Sequence, residues 1–580
     1  MKKVLLLCSL FIYTVSSAQY LNFSWARGFG APNTIGNAGV TGINIATDAT
    51  GNIYLAGTFQ DTVDFDPSPS TYFLSSAAQY DVFVMKLDVN GNMIWTKPIA
   101  GMEIEGPVGI NIDASGNVYV LGVFKAMTDF NPDPVATFNL TPYGLEDIFL
   151  LKLNASGDFV WAEQFGGTSS DRPTSLAIDQ NNNLLIGGYF EGTADFDPSA
   201  SSLNLTSNGG SDGVIVKVNA AGTLQWAHNF GSTQMDYLVS LKADATGNIL
   251  STGSFLGTVD FDPGAASTSL TVPANTYGTF IMKSDTAGNL TWVKAFMPEP
   301  FAHVSSSTIA LDNFGNIFIS GYFDHTIDFN TSPGVVDTVS SYLSTQDVFV
   351  ARLNPSGNFF WVKTLGNSDN DYSGAVATDN NGNCYFKGSF GGQIDIDPSP
   401  TGTYSITTGG GVGTRAEYIL SLNAAGTFMW GRKIAGFSAG YRGPTIHLDN
   451  QNRFYTTGQF SGTTDFDPDA GVANLSCTPG TGGGFLTQFT QGTVGINEYS
   501  APAGFRLYPN PAHDIVRLEA AEGFDAAELV LNDVNGKMVM TMILQDGLSA
   551  DIDIRNLAAG FYSLQVFNKG KTEVVKLIVE

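Results

Sequence analysis

Cysteine is almost absent, with three in 580 residues: Cys8, Cys384 and Cys477. That count excludes a disulfide scaffold and leaves at most one bridge outside the N-terminal run. Cys384 stands where a repeated strand pattern otherwise carries Ile or Val, and so reads as a small buried core residue. Basic residues are also few, 27 Lys+Arg against 54 Asp+Glu, for a net charge of -27. Without clustered Lys/Arg the chain has nothing to set against a nucleic-acid backbone or an anionic membrane surface. The five histidines, His228, His303, His325, His447 and His513, are scattered without metal-ligand spacing. No glycine loop precedes a helical segment, which removes a phosphate cradle. Past the N-terminal run, no apolar stretch approaches the length of a membrane span.

What the chain does have is glycine (66), proline (24), 12% aromatic residues and 43% hydrophobic ones. This is enough apolar material for a core, in a composition that favours strands and turns. At the N-terminus Lys2 and Lys3 precede the apolar run from Val4 to Val15, followed by Ser16, Ser17, Ala18 and Gln19. A charged start, a short apolar core and small residues predict a signal peptide over 1–18, cleaved between Ala18 and Gln19.

Internal repetition organises the rest. The string Asp48-Ala49-Thr50-Gly51-Asn52-Ile53-Tyr54 returns from Asp113, Asp179, Asp244, Asp312, Asp379 and Asp449, at spacings of 65 to 70 residues. A second landmark, Asp64-Phe65-Asp66-Pro67, returns from Asp129, Asp195, Asp260, Asp328, Asp395 and Asp465. A third is tryptophan, at Trp95, Trp161, Trp226, Trp292, Trp361 and Trp430, with Trp25 ahead of the first full unit. Each unit holds four short strand-like runs, and the turns after the first and third are tight. The last unit stops after its third run, while the chain opens with an unpaired Trp-bearing run, Leu21–Arg27. This offset predicts an all-β, seven-bladed β-propeller over 19–491, closed by the N-terminal strand as the outer strand of the last blade. The Phe-Val-Met-Lys-Leu and Gly-x-x-x-Trp strands resemble the SBBP β-propeller repeats of secreted bacterial proteins. That resemblance covers about 21–490 and implies an architecture more than an activity.

After a linker over 492–504, alternating runs over 505–580 predict a small β-sandwich. Tyr508-Pro509-Asn510-Pro511, Asp533-Val534-Asn535-Gly536-Lys537, Leu557 to Tyr562 (with Gly560) and Val575-Lys576-Leu577-Ile578-Val579 occur in order. They resemble the C-terminal sorting domain of the type IX secretion system of Bacteroidota. The resemblance implies the type IX machinery as a partner, passage across the outer membrane, and release or surface anchoring.

In each unit the exits of the second and fourth runs fall on one rim, and the second exit is a long connection opening with the Asp-Phe-Asp-Pro element. Long loops on a rigid scaffold are the usual place for binding. The acid pairs Asp64/Asp66, Asp195/Asp197, Asp260/Asp262, Asp395/Asp397 and Asp465/Asp467 place oxygens at i and i+2, a spacing that two Ca²⁺ ligands can share. Asn131 and Asn330 replace the second acid in two units. The other reading is turn chemistry, with Asp capping its own backbone and Pro stiffening the loop. Sevenfold repetition favours the turn role, since a catalytic acid is singular. Of the 54 acids, 19 are periodic: twelve in these elements and seven in the hairpin turns from Asp48 onward. Gly436-Phe437-Ser438-Ala439-Gly440 matches Gly-x-Ser-x-Gly, but without the strand-turn-helix setting a nucleophile elbow needs. The expectation is an exported, non-catalytic protein- or glycan-binding module without a cofactor other than a structural Ca²⁺. A polysaccharide-directed enzyme using rim carboxylates and a structural surface component are the alternatives.

Overall fold

The computed structural model describes residues 19–30, 39–77, 79–101, 104–332, 334–409, 415–437, 445–468, 471–477, 482–493, 505–524, 527–533, 538–545, 547–558, 560–568 and 571–579. The predicted signal peptide over 1–18, most of the predicted linker, Ser438–Gly440 of the Gly-x-Ser-x-Gly string, and Gly536 and Lys537 of the sorting motif lie outside them. The chain divides into two compact units, with the boundary between Gly492 and Thr493.

The larger unit is all β and propeller-like. A four-stranded antiparallel meander recurs along it, the first example being Gly39–Thr47, Ile53–Gln60, Asp81–Leu87 and Met93–Gly101. Equivalent sheets follow along the chain, and in the last of them Thr445–Leu448, Arg453–Phe460 and Gly483–Thr493 are completed by the N-terminal strand Gln19–Phe29. The second and third strands of each repeat are buried over nearly their whole length, as in Val118–Phe124 and Asp212–Val218. They form the floor between neighbouring sheets, which explains their continuous apolar runs. Cys384 opens one of these strands fully buried, and Cys477 is buried as well.

Neighbouring repeats are joined by a recurring contact that accounts for the Gly-x-x-x-Trp pattern. The turn between the third and fourth strands needs a positive φ, supplied by Gly91, Gly157, Gly288, Gly357 and Gly426 among others. The fourth-strand Trp of the preceding repeat lies against that bare glycine: Trp95 on Gly157, Trp226 on Gly288, Trp292 on Gly357 and Trp361 on Gly426. A Cβ there would stand 2.6 to 3.2 Å from its nearest neighbours, so the indole, joined by Lys97 at Gly157 and His228 at Gly288, takes the space a side chain would occupy. Trp226 and Trp361 also donate Nε1–H to the carbonyls of Thr286 and Ala424 in the next repeat, at 3.3 and 3.2 Å. Trp25 of the N-terminal strand does the same to the first repeat. It packs on Gly91, while Arg27 beside it donates to the carbonyls of Asn90 (2.7 Å) and Gly91 (3.3 Å).

First strands also bond to first strands. Asn44 Nδ2 reaches Pro107 O at 3.0 Å, Asn111 Nδ2 reaches Leu176 O at 2.8 Å, and Thr174 Oγ1 reaches Leu238 O at 2.8 Å. Between the last repeat and the first, Thr47 Oγ1 bonds His447 Nε2 at 2.8 Å and Thr457 Oγ1 donates to Ile43 O at 2.8 Å.

The smaller unit is a sandwich of a three-stranded sheet (Phe505–Tyr508, Ile515–Phe524, Gly547–Asp553) and a four-stranded one (Met538–Leu544, Ala527–Asp533, Gly560–Asn568, Lys571–Val579). Val516, Leu518, Leu529, Leu531, Ile552 and Leu564 fill the space between them. The strand Gly547–Asp553 is absent from the runs read in the sequence, because only Ile552 of it is buried. Within the sorting motif, Asn510 Oδ1 accepts the N–H of Ile578 at 2.8 Å, and Ala512 N–H donates to Ile578 O at 2.9 Å. The Pro-Asn-Pro segment is thereby tied to the final strand. Tyr562 OH closes the turn before its own strand on Ala558 O at 2.8 Å.

Candidate functional site

The long connection after the second strand is not a plain loop. It carries a two-stranded flap, Thr62–Asp64 with Phe73–Ser75 in the first repeat and Thr193–Asp195 with Asn204–Thr206 in the third. Strands of two or three residues are too short to show a period, which is why they read as loop. The Asp-Phe-Asp-Pro element turns the chain at the flap. Its Phe points inward: Phe65, Phe130, Phe196, Phe261, Phe329 and Phe466 are all buried, with Ile396 in the sixth repeat. Each Phe meets the last aromatic of its second strand edge-on, as in Phe59–Phe65 (5.3 Å, 88°) and Phe124–Phe130 (5.4 Å, 89°).

The first Asp of the element points into the loop backbone. Asp64 Oδ1 accepts the N–H groups of Asp66 (3.1 Å) and Tyr72 (2.8 Å), and Asp195 Oδ1 those of Asp197 (3.0 Å) and Leu203 (2.9 Å). Asp260, Asp395 and Asp465 repeat both bonds. The second acid caps the next step: Asp66 takes Ser68 N–H, Asp197 takes Ser199 N–H, Asp262 takes Gly264 N–H and Asp397 takes Ser399 N–H, at 2.8 to 2.9 Å. Asn131 and Asn330 make the same bond with an amide oxygen, to Asp133 and Ser332. The bond therefore needs an oxygen and no charge. Among the described residues, no group of three His, Cys, Asp or Glu gathers around a cation-sized space.

The hairpin aspartates behave alike on the opposite face. Asp48 accepts from Thr50 N–H and Oγ1, Asn52 N–H and Nδ2, and the Tyr54 hydroxyl. Burial pushes its pKa up, but these donors outweigh burial and hold it below the usual carboxylate value. The same balance lowers Asp113 and Asp179.

A second group of acids went unread in the sequence. Asp81, Asp147, Asp212 and Asp347 open third strands, and Asp171, Asp236 and Asp371 stand at the start of first strands; all are buried. Here burial dominates. It carries Asp171 to about 7 with the charges of Asp147, Glu146 and Glu191 adding, and Asp371 to about 8 with Asp347 and Asp369 adding. Asp212 and Asp347 rise to about 6. The available signal was a spacing: Asp147/Asp171, Asp212/Asp236 and Asp347/Asp371 are each 24 residues apart.

The flaps and the loops beside them expose large apolar side chains, among them Tyr72, Phe73, Tyr143, Tyr342 and Tyr404. Beside Tyr404 a cleft of about 300 Å³ runs to the next Asp-Phe-Asp-Pro element and is lined by Ile406, Arg432, Lys433, Asp465 and Pro468. Arg432 donates to the Tyr404 hydroxyl at 3.3 Å and Lys433 to Thr407 O at 3.1 Å.

Comparison with known families agrees with both parts of this picture. Residues 160–189, which run from one fourth strand through the following first and second strands, match the β-propeller repeat family. Residues 506–580 match the secretion system C-terminal sorting domain family. The chain carries an SBBP-type propeller repeat and ends in a type IX sorting domain. A domain of this family supports secretion by the type IX system. Among curated proteins, an uncharacterized WD repeat-containing protein of Acanthamoeba polyphaga mimivirus is 26% identical over 38% of this chain and 17% of its own length. The Regulatory protein FlaEY of Caulobacter vibrioides is 22% identical over 72% of this chain and 43% of its own. The chain thus spans less than half the length of either relative. A solved structure of a Dyadobacter fermentans protein of unknown function is 10% identical, covering 80% of this chain and 99% of that one, with a TM-score of 0.31. Among the described residues, no helix is long and apolar enough to cross a membrane.

Proposed function

We propose that the chain is a secreted or surface-held, non-catalytic binding protein whose seven repeats close into a ring and present the flap rim to a protein or glycan ligand. Ring closure is supported by the N-terminal strand, since Trp25 and Arg27 serve the first repeat as each fourth-strand Trp serves its successor. The observation that carries the binding role is the rim's division of labour. Its periodic carboxylates are engaged with loop N–H groups, while aromatic rings such as Tyr72, Phe73, Tyr143 and Tyr404 stand exposed. Rings with a polar tip stack on sugars or peptide at small conformational cost. The Tyr404 cleft, with Arg432 and Lys433 facing Asp465, adds hydrogen-bonding groups of both signs.

The full chain on a glycan array and in a parallel glycoside-hydrolase screen tests this. Binding without turnover, weakened by Tyr404→Ala or Tyr143→Ala, is the expected result. Turnover of any glycan overturns it in favour of the polysaccharide-directed enzyme. Absence of any glycan or protein ligand, with retention at the cell surface, favours the structural component.

A further inference from the structure

Five junctions between consecutive repeats share one backbone bond. The N–H at the start of a first strand donates to the carbonyl just before the preceding repeat's third strand. The pairs are Asp171 to Glu146 (3.0 Å), Asp236 to Ser211 (2.7 Å), Val304 to Tyr277 (3.0 Å), Asp371 to Gln346 (2.7 Å) and Val40 to Gly482 (3.1 Å). Each donor residue thereby lies beside the residue that follows the carbonyl. The resulting neighbours are Asp147 with Asp171, Asp212 with Asp236, Asp347 with Asp371, Gly278 with Val304, and Gly483 with Val40. The junctions have two fillings, acid with acid or glycine with valine, and none of the five mixes them. At the Gly/Val junctions the glycine is closed in by Val272 and Phe255 (Gly278) or by Phe460 and Cys477 (Gly483), which is ordinary packing. Two carboxylates in the same place require something else.

At two junctions the requirement is explicit. Asp147 Oδ2 is held by Tyr143 N–H (3.0 Å) and Gln164 Nε2 (2.6 Å), and Asp171 Oδ2 by Gly167 N–H (2.7 Å). Asp347 Oδ2 is held by Tyr342 N–H (2.7 Å) and Asp371 Oδ2 by Asn367 N–H (3.0 Å). The four remaining oxygens, Oδ1 of Asp147, Asp171, Asp347 and Asp371, are buried without a hydrogen-bond partner. Their neighbours keep other engagements. Glu146 pairs with Arg172 (2.5 Å) and Lys125 (3.7 Å), and Arg415 donates to Asn370 O (2.8 Å) and Ser389 O (3.2 Å). The carboxylates pack directly on bare glycines. A Cβ at Gly166 would stand 2.9 Å from both Asp147 Oδ1 and Asp171 Oδ2, and one at Gly366 would collide with the Asp347 carboxylate.

Two buried charges of one sign are costly unless neutralised, and each unsatisfied oxygen adds its own desolvation penalty. One shared proton leaves a net negative charge behind. A divalent ion cancels both charges and bonds both oxygens, and Ca²⁺ is the ion that takes hard oxygen ligands in irregular geometry. We propose that the Asp147/Asp171 and Asp347/Asp371 junctions each bind one Ca²⁺ ion, which clamps consecutive repeats together. At the third acid junction Asp236 Oδ1 already accepts Leu256 N–H at 2.8 Å, so only Asp212 Oδ1 is unpartnered and the site is the weakest. These sites are separate from the Asp-Phe-Asp elements, where Oδ1 is engaged by loop N–H groups.

Calorimetric titration of chelator-treated full chain with CaCl₂ at pH 7.5 tests the proposal, alongside thermal unfolding in CaCl₂ and in EGTA. The expected results are at least two bound equivalents and a higher unfolding midpoint in CaCl₂. Asp171→Asn with Asp371→Asn should weaken binding at least tenfold, and Asp66→Asn with Asp197→Asn should leave it unchanged. Because the first double variant can misfold, a second one copies a filling the fold already uses: Asp347→Gly with Asp371→Val, expected to remove one equivalent. Wild type without binding heat or midpoint shift overturns the proposal, as does full stoichiometry in the Gly/Val variant. A midpoint in EGTA that responds to pH but never to CaCl₂ also overturns it, in favour of protons.

Discussion

Two sets of aspartates run through the repeats, and their surroundings drive them in opposite directions. A turn aspartate such as Asp48 collects five donor groups, from Thr50, Asn52 and Tyr54, and its pKa falls despite burial. A junction aspartate such as Asp171 has one, the N–H of Gly167, and its pKa climbs to about 7. The difference lies in how many N–H and O–H groups the local chain turns toward the carboxylate. A tight turn aims several backbone donors at one point, whereas the start of a strand spends its N–H groups on the neighbouring sheet. The turn set is therefore finished by the chain itself, and the junction set is not.

Four measurements would break or sharpen that contrast. The largest effect is expected from removing one charge of an acid junction. In EGTA at pH 7.5, Asp371→Asn should stabilise the fold by about 1–3 kcal/mol in denaturant unfolding, because the buried like-charge contact with Asp347 goes while an amide oxygen can still accept the Asn367 N–H. Destabilisation would show that the acids are satisfied without a cation. Next, Asp195→Ala should cost about 1–2 kcal/mol, since the Asp197 and Leu203 N–H groups lose their acceptor. The loss should be equal in CaCl₂ and EGTA; a calcium-dependent loss would merge the two sets.

The pH response separates the sets by sign. Asp171 and Asp371 hold protons in the native state up to about 7 and about 8, against a usual carboxylate value of 3.8. Between those limits the native state binds more protons than the unfolded one, so metal-free stability should fall as pH rises from about 4 to 8. The lowered turn acids act the other way: their contribution is complete above the ordinary carboxylate pKa and is lost only as pH falls below it. Unfolding midpoints in EGTA across this range, flat between pH 5 and 8, would refute the junction behaviour. The smallest effect is expected for Asp66→Asn, within about 0.5 kcal/mol, because Asn131 and Asn330 already make the same bond in other repeats.

The repeat and the sorting domain were legible because their signals are multiplied or contiguous. The Asp48 string and the Trp pattern recur along the chain, and Trp25 with no strand before it pointed to its place in the last sheet. The first Asp of each Asp-Phe-Asp element accepts loop N–H groups, the turn chemistry weighed in the sequence, whereas burial of the Phe beside it was not read there. The flaps were not legible, since two or three residues carry no period. Nor were the junction acids. Each is a single letter at the start of a strand, the two occur together at three junctions, and the partner belongs to the next repeat, 24 residues on. Averaging over repeats, which exposes the architecture, erases whatever distinguishes one repeat from another.

The two kinds of joint have different consequences for how such a chain can change by duplication or exchange of its units. An indole lying on a bare glycine fits any neighbour, so that joint tolerates insertion, loss or reordering. The acid and Gly/Val fillings do not. A second copy of the repeat that begins at Asp236, inserted directly behind the first, would set its Asp236 beside Gly278, a carboxylate without an acid partner. Copies that are nearly interchangeable in shape are therefore not interchangeable in position wherever an acid meets an acid.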